Sequence, residues 1–205
     1  MEKEEINTQN ECLKVIFLGE SGVGKTNIIN ILTGGKFNEY EMSTNTQSYC
    51  SKEILFENKE YILHIWQTIS QEKYRKLAKL VYNDSKIVIF VYSITSKESF
   101  NELNYWIKSV EDIIGPDFIK GIIANKSDQF IDESVSEEEG KEFAMSKNAK
   151  FLMFSAKTDS PIKLEEFLTK LLREYLEKEK EDENKNKNKI ILKKKKKKKK
   201  NNCAK

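Results

Sequence analysis

Short apolar runs alternate along the chain with stretches whose apolar residues recur every three or four positions. "LKVIFLG" (residues 13–19) predicts a buried strand that runs into a glycine-rich loop, and "TNIINILTG" a helix stopped by Gly34 and Gly35. "YCSKEILF" and "EYILHIW" predict two strands joined by an "ENK" hairpin turn. "QEKYRKLAKLVY" has a helical pattern, "KIVIFVYSI" is a buried strand, and "SKESFNELNYWIKSVEDII" predicts one helix ending before Gly115 and Pro116. "FIKGIIANK" predicts a strand and "SEEEGKEFAMSKN" a helix capped by Ser136, with Glu139 three residues on. "AKFLMFSA" is the last strand. Ser160 and Pro161 then open a helix whose Leu164, Phe167, Leu168, Leu171, Leu172 and Tyr175 share one face. The alternation predicts an α/β domain: a mostly parallel six-stranded sheet with helices on both faces and one antiparallel edge strand from the hairpin. Ligands of such sheets bind at the carboxyl ends of the strands.

Composition narrows the class. A chain of 205 residues, 34% charged and 38% hydrophobic, predicts a soluble globular protein of one domain with extensions. Its apolar runs are too short to span a membrane, and the acidic start "MEKEEINTQNE" is unlike a signal peptide. Cys12, Cys50 and Cys203 lie far apart, which suits a reducing compartment and neither a disulfide framework nor a zinc site. The net charge of +3 is unevenly spread: from Lys180 onward 13 lysines face 3 acidic residues, leaving residues 1–179 at −7. From about Lys178 the pattern dissolves into "EKEDENKNKNKIILKKKKKKKKNNCAK", too poor in apolar residues to offset the entropy of ordering. The predicted organisation is a flexible extension over 1–11, a domain over 12–178 and a disordered polybasic tail over 179–205.

Three motifs sit at the predicted strand ends. "GESGVGKT" (residues 19–26) matches G-x-x-x-x-G-K-[ST] between a strand and a helix, the setting in which it binds phosphates. There the N–H groups of Ser21, Gly22, Val23 and Gly24 can turn toward a phosphate chain, and the helix N-terminus adds its positive end. Lys25 supplies a point charge to the outer phosphates, the Thr26 hydroxyl can ligate Mg²⁺, and the Asn27 N–H can reach the inner phosphate. "NKSD" selects the base. The Asp128 carboxylate can accept from guanine N1 and the 2-amino group, a donor pair that adenine lacks, with Asn125 and Lys126 beside it. Lys126 can lay its aliphatic stem along the ring. "SAK", Ser155, Ala156 and Lys157, closes the last strand, where the Ala156 N–H can reach the guanine oxygen.

With these motifs in order, residues 12–176 resemble a Ras-superfamily small GTPase, a single P-loop G domain, and are most similar to the Rab branch. "IWQTISQEKYR" is similar to the Rab stretch IWDTAGQERYR, and "FVYSITSKESF" to the strand and helix start that follow. The resemblance implies a switch that binds GTP and GDP with Mg²⁺ and works with an exchange factor, an activating protein and effectors in vesicle traffic. It also implies roles for single residues. Phe37 would lie against guanine, or else in the core. Thr44 would ligate Mg²⁺ beside Thr26 and contact the γ-phosphate, and Gln71 would position the attacking water. Tyr49 and Trp66 match two aromatics of the Rab effector patch, with Val81 in place of the third.

The family pattern Asp-x-Ala-Gly-Gln is broken, because this chain has Gln67, Thr68, Ile69, Ser70 and Gln71. A neutral amide replaces the carboxylate, Ser70 restricts φ and ψ where the family has glycine, and Ile69 adds bulk. Poor GTP hydrolysis is therefore expected, since phosphoryl transfer depends on positioning and electrostatics. The alternative is a non-cycling scaffold of the same fold whose nucleotide is structural. An ATP-using P-loop enzyme is a third reading, one that makes Asp128 irrelevant. The run of eight lysines, 193–200, predicts attraction to an anionic membrane on the cytosolic face of endomembranes. "NNCAK" is not a C-a-a-X ending, so Cys203 is a lipidation candidate without that signal. No aromatics interleave the lysines, so nucleic acid is not expected as a partner. A monomer is expected, and His64, the single histidine, reads as structural.

Overall fold

The computed structural model describes residues 11–41, 48–67 and 82–202, with side chains as far as Lys185. Six strands form one sheet: β1 (Glu11–Leu18), β2 (Ser48–Phe56), β3 (Lys59–Gln67), β4 (Ile87–Ser93), β5 (Ile119–Asn125) and β6 (Lys150–Met153). Their order is β2-β3-β1-β4-β5-β6, and every pair is parallel except the edge pair β2/β3. The predicted architecture is the one observed.

Alternation along the central strands builds two cores. Val15, Phe17, Ile89 and Val91 face one side with Ile28 and Leu32 of α1 (Lys25–Leu32). Ile16, Leu18, Val88 and Phe90 face the other with Trp106, Ile107 and Val110. Because β1 and β4 are buried on both faces, they read as continuous apolar runs. The turn between β2 and β3 holds Glu57 and Asn58, both at positive φ (50° and 60°), the geometry of a two-residue hairpin that follows the strand twist.

The sequence predicts one helix over 96–114, and the structure has two, α2 (Lys97–Asn101) and α3 (Leu103–Ile114). They meet at Glu102, still right-handed at φ −66° and ψ −13°, and Glu102 N and Trp106 N keep helical bonds across the junction. The Ser96 side chain accepts from Ser99 N to start α2, and Gly115 at φ 79° ends α3. The sequence does not announce the 3₁₀ segment Ser127–Asp132. Helix α4 (Glu137–Ser146) is capped as predicted, Ser136 Oγ accepting from Glu139 N at 3.2 Å.

The last helix is α5 (Pro161–Asn202). It buries Leu164, Phe167, Leu168, Leu171 and Leu172 and continues past residue 178. Just beyond the packed part, Lys185 pairs with Glu181 and Asp182 one turn back. Among the described residues no helix is long and apolar enough to cross a membrane.

Candidate functional site: a phosphate loop facing a base pocket

The site lies at the carboxyl ends of β1, β3, β5 and β6. The loop after β1 is pressed against its neighbours. A Cβ on Gly19 (φ 144°) would lie 2.1 Å from the Val91 carbonyl oxygen, and one on Gly24 (φ 96°) 2.3 Å from Asn125 Nδ2. Gly24 is the N-cap of α1, so the helix begins on the loop. The Lys25 side chain turns back over it, only 4% exposed, and Nζ donates to the carbonyls of Gly19 (2.9 Å) and Glu20 (2.7 Å). Burial pushes its ammonium down to about 7, and the nearby Glu20 charge opposes the shift. A phosphate chain placed here would restore that charge.

Two further residues of α1 carry bonds that the motif does not reveal. Thr26 Oγ1 accepts from Gln67 Nε2 at 2.6 Å. Asn27 clips the following loop at both backbone groups of Asn38. Its Nδ2 donates to Asn38 O (2.9 Å), and its Oδ1 accepts from Asn38 N (2.8 Å). A short amide side chain inside a helix is a signal for such local backbone bonding, since Asn competes for backbone groups.

The base side is braced by Asn125 and Ser155, both buried. Asn125 Nδ2 donates to Val23 O (2.8 Å), and its Oδ1 accepts from Ala156 N (3.2 Å). The Ala156 N–H, predicted to reach a guanine oxygen, thus has a protein acceptor. Ser155 Oγ donates to Asp128 Oδ1 (2.6 Å) and accepts from the N–H groups of Lys157 and Thr158. Lys126 holds a left-handed φ of 65°, which turns the chain between β5 and Asp128. Phe37 borders the cleft while packing on the core, and Lys157 Nζ lies 5.9 Å from its ring centre.

These parts enclose a cleft of about 210 Å³. The loop contributes Ser21, Gly22, Gly24, Lys25, Thr26 and Asn27 to its wall, and the far side contributes Asn125, Lys126, Asp128, Ala156 and Lys157. Val23 and Ser155 stand behind the wall as hydrogen-bond partners. Asn38, Glu39, Glu41, Gln67 and Gln129 complete the lining, and of these the sequence patterns single out Gln67 alone. Thr44, Ile69, Ser70, Gln71, Val81 and Cys203 lie outside the described residues, as does most of the helix expected from "QEKYRKLAKLVY". On the outer face of β2 and β3, Tyr49 is 50% exposed, packs at a tilt against Trp66 with ring centres 4.9 Å apart, and bonds His64 Nδ1 through its hydroxyl.

Mg²⁺ is implied by the resemblance, with Thr26 and Thr44 as ligands. Thr26 and Gln67, the described residues at that position, offer it only neutral oxygens. The Thr26 oxygen accepts an amide N–H, and the side chain in the place of the family's Asp carries no charge.

A sheet of this order with a phosphate loop and a guanine-type base pocket defines a small GTPase G domain. Residues 14–177 match the family model for the Ras family. The chain is 33% identical over 176 residues to Ras-related protein Rab-18 of Lymnaea stagnalis, covering 84% of this chain and 85% of that protein. It is 35% identical over 164 residues to Ras-related protein Rab-21 of Geodia cydonium (80% and 71%) and 32% identical over 171 residues to Ras-related protein Rab-8B of Bos taurus (83% and 82%). The chain belongs to the Ras family, as a GTP-binding small GTPase most similar to the Rab branch.

Proposed function

We propose that the protein is a Rab-like GTP/GDP switch in intracellular membrane traffic with weak intrinsic GTP hydrolysis. The observation that carries nucleotide choice is Asp128, which lines the cleft with one carboxylate oxygen held by Ser155 Oγ. That bond fixes the carboxylate as an acceptor for the two donors of guanine. Asn125, Lys126, Ala156 and Lys157 frame the base, and residues 21–27 take the phosphates.

Weak hydrolysis is supported by the neutral Gln67 amide engaged at Thr26, followed by Ile69 and Ser70. Mg²⁺ is left out of this reading because of that bond. Gln71 remains the residue to position water and Thr44 the one to sense the γ-phosphate. Tyr49 and Trp66 form part of the effector surface, and effectors, an exchange factor and an activating protein are the partners that a Rab-like cycle needs. The lysine tract of α5, with Cys203 as a lipid site, would hold a monomer on the cytosolic face of an endomembrane.

The test is competition between GDP and ADP for the purified protein, repeated with Asp128→Asn, and single-turnover hydrolysis of bound GTP. Losing two charge-assisted bonds should weaken GDP by about 100-fold or more in the variant. Unchanged guanine preference would sink the assignment of Asp128. Turnover below about 3–5 × 10⁻⁴ s⁻¹, the Ras-type intrinsic rate, is expected. GTP that persists without measurable turnover would favour a non-cycling scaffold.

A further inference from the structure

Gln67 ends β3, and its backbone is paired on one side with Phe17 of β1 and on the other with Ser48 of β2. Its side chain is buried, with Nε2 2.6 Å from Thr26 Oγ1 at the start of α1. The sheet therefore sets the position of this amide.

A hydroxyl that ligates a cation gives an oxygen lone pair to the metal and must donate its proton elsewhere. A carboxylate beside it can accept that proton with one oxygen and still present the other, along with a negative charge. A glutamine amide has a single oxygen and two N–H donors. In the observed arrangement an N–H takes up a lone pair of Thr26. If the amide were turned over, Oε1 would accept the threonine proton, but the amide nitrogen would then face the space where a carboxylate keeps its second oxygen. In the observed orientation a donor already occupies the Thr26 oxygen; turned over, the amide would let Thr26 give a lone pair to Mg²⁺ but would aim a donor at the ion's bound waters, and neither orientation supplies the negative charge that this ion favours. Replacing a carboxylate by an amide also removes a negative charge that would repel the phosphates. Positive charge remains in Lys25, whose Nζ is already held inside the loop by the carbonyls of Gly19 and Glu20.

We propose that this protein retains guanine nucleotide without depending on a divalent cation, the Gln67 amide taking the cation's place at Thr26. The inference rests on the guanine-nucleotide reading above and goes further, to what holds the phosphates.

The test uses the full chain loaded with fluorescent GDP and chased with excess unlabelled GDP, in Mg²⁺ or in EDTA. Small-GTPase sites that rely on Mg²⁺ release nucleotide much faster on chelation. Here the two rates are expected to agree within about threefold, and Gln67→Asp, which restores the carboxylate, should release GDP at least about tenfold faster in EDTA than in Mg²⁺. A larger effect of chelation on the unaltered protein overturns the proposal, and this comparison decides even if the variant does not fold. A folded Gln67→Asp protein as indifferent to chelation as the parent overturns the assignment to Gln67. Failure to bind fluorescent GDP in either buffer overturns the guanine reading itself.

Discussion

Asn125 makes the sharpest structural prediction. It ends β5, is 2% exposed, and ties three segments together: the phosphate loop through Val23 O, its own strand, and the loop after β6 through Ala156 N. Asn125→Ala deletes both bonds and leaves a carbonyl and an N–H facing the space vacated by the amide. Each buried group left unpaired costs about 1–3 kcal/mol, so the pair sets a ceiling of roughly 6 kcal/mol. The cleft adjoins the site, and water entering from it would recover part of the loss. About 2–4 kcal/mol of lost stability is expected in nucleotide-free protein. The loop also loses a wall, since Gly24 packs so closely on this amide that a Cβ would lie 2.3 Å from it. A phosphate loop free to move binds phosphate less well, so GDP should dissociate at least about tenfold faster.

The assay is urea unfolding followed by far-UV circular dichroism, with and without saturating GDP, together with the GDP release rate. Ligand stabilisation grows as RT ln(1 + [L]/Kd), so the variant should show both a lower midpoint and a smaller increment from GDP. An unchanged midpoint with an unchanged increment would refute the brace. A lower midpoint with the full increment would show that Asn125 supports the fold without shaping the site.

Two further predictions concern α1. Asn27→Ala removes both bonds to Asn38 and should speed nucleotide release roughly five- to thirtyfold, corresponding to about 1–2 kcal/mol, with little change in the unfolding midpoint; an equal release rate would show that the clip contributes nothing. Lys25 sits near pKa 7 in the folded protein because of burial, against 10.5 when unfolded. Between those values the unfolded chain holds a proton that the folded one lacks. Stability of the nucleotide-free protein should therefore rise with pH across that window, by at most about 1.4 kcal/mol per pH unit from this group. Below the window both states are protonated, and the full burial penalty remains. Binding GDP near pH 8 should be accompanied by proton uptake, read by calorimetry in buffers of different ionisation enthalpy; no buffer dependence would show that the ammonium is already charged.

What was legible in the sequence is what depends on local pattern. The phosphate loop, the helix caps and the double-sided burial of β1 and β4 each need only a few neighbouring residues, and all three appear where the pattern puts them. The junction at Glu102 was not legible, because α2 and α3 continue one apolar periodicity and the backbone bonds bridge the break. Gln67 shows the deeper limit. The sequence reveals only that a carboxylate is missing 41 residues beyond Thr26, and from that alone the change is a loss. The register that pairs Gln67 with Phe17 brings the longer amide to the hydroxyl at the start of α1, and the loss becomes a bond. That bond links the core strand β3 to the first turn of the phosphate-binding helix. Because both its ends are anchored in regular structure, a change at this position bears first on how the phosphates are held.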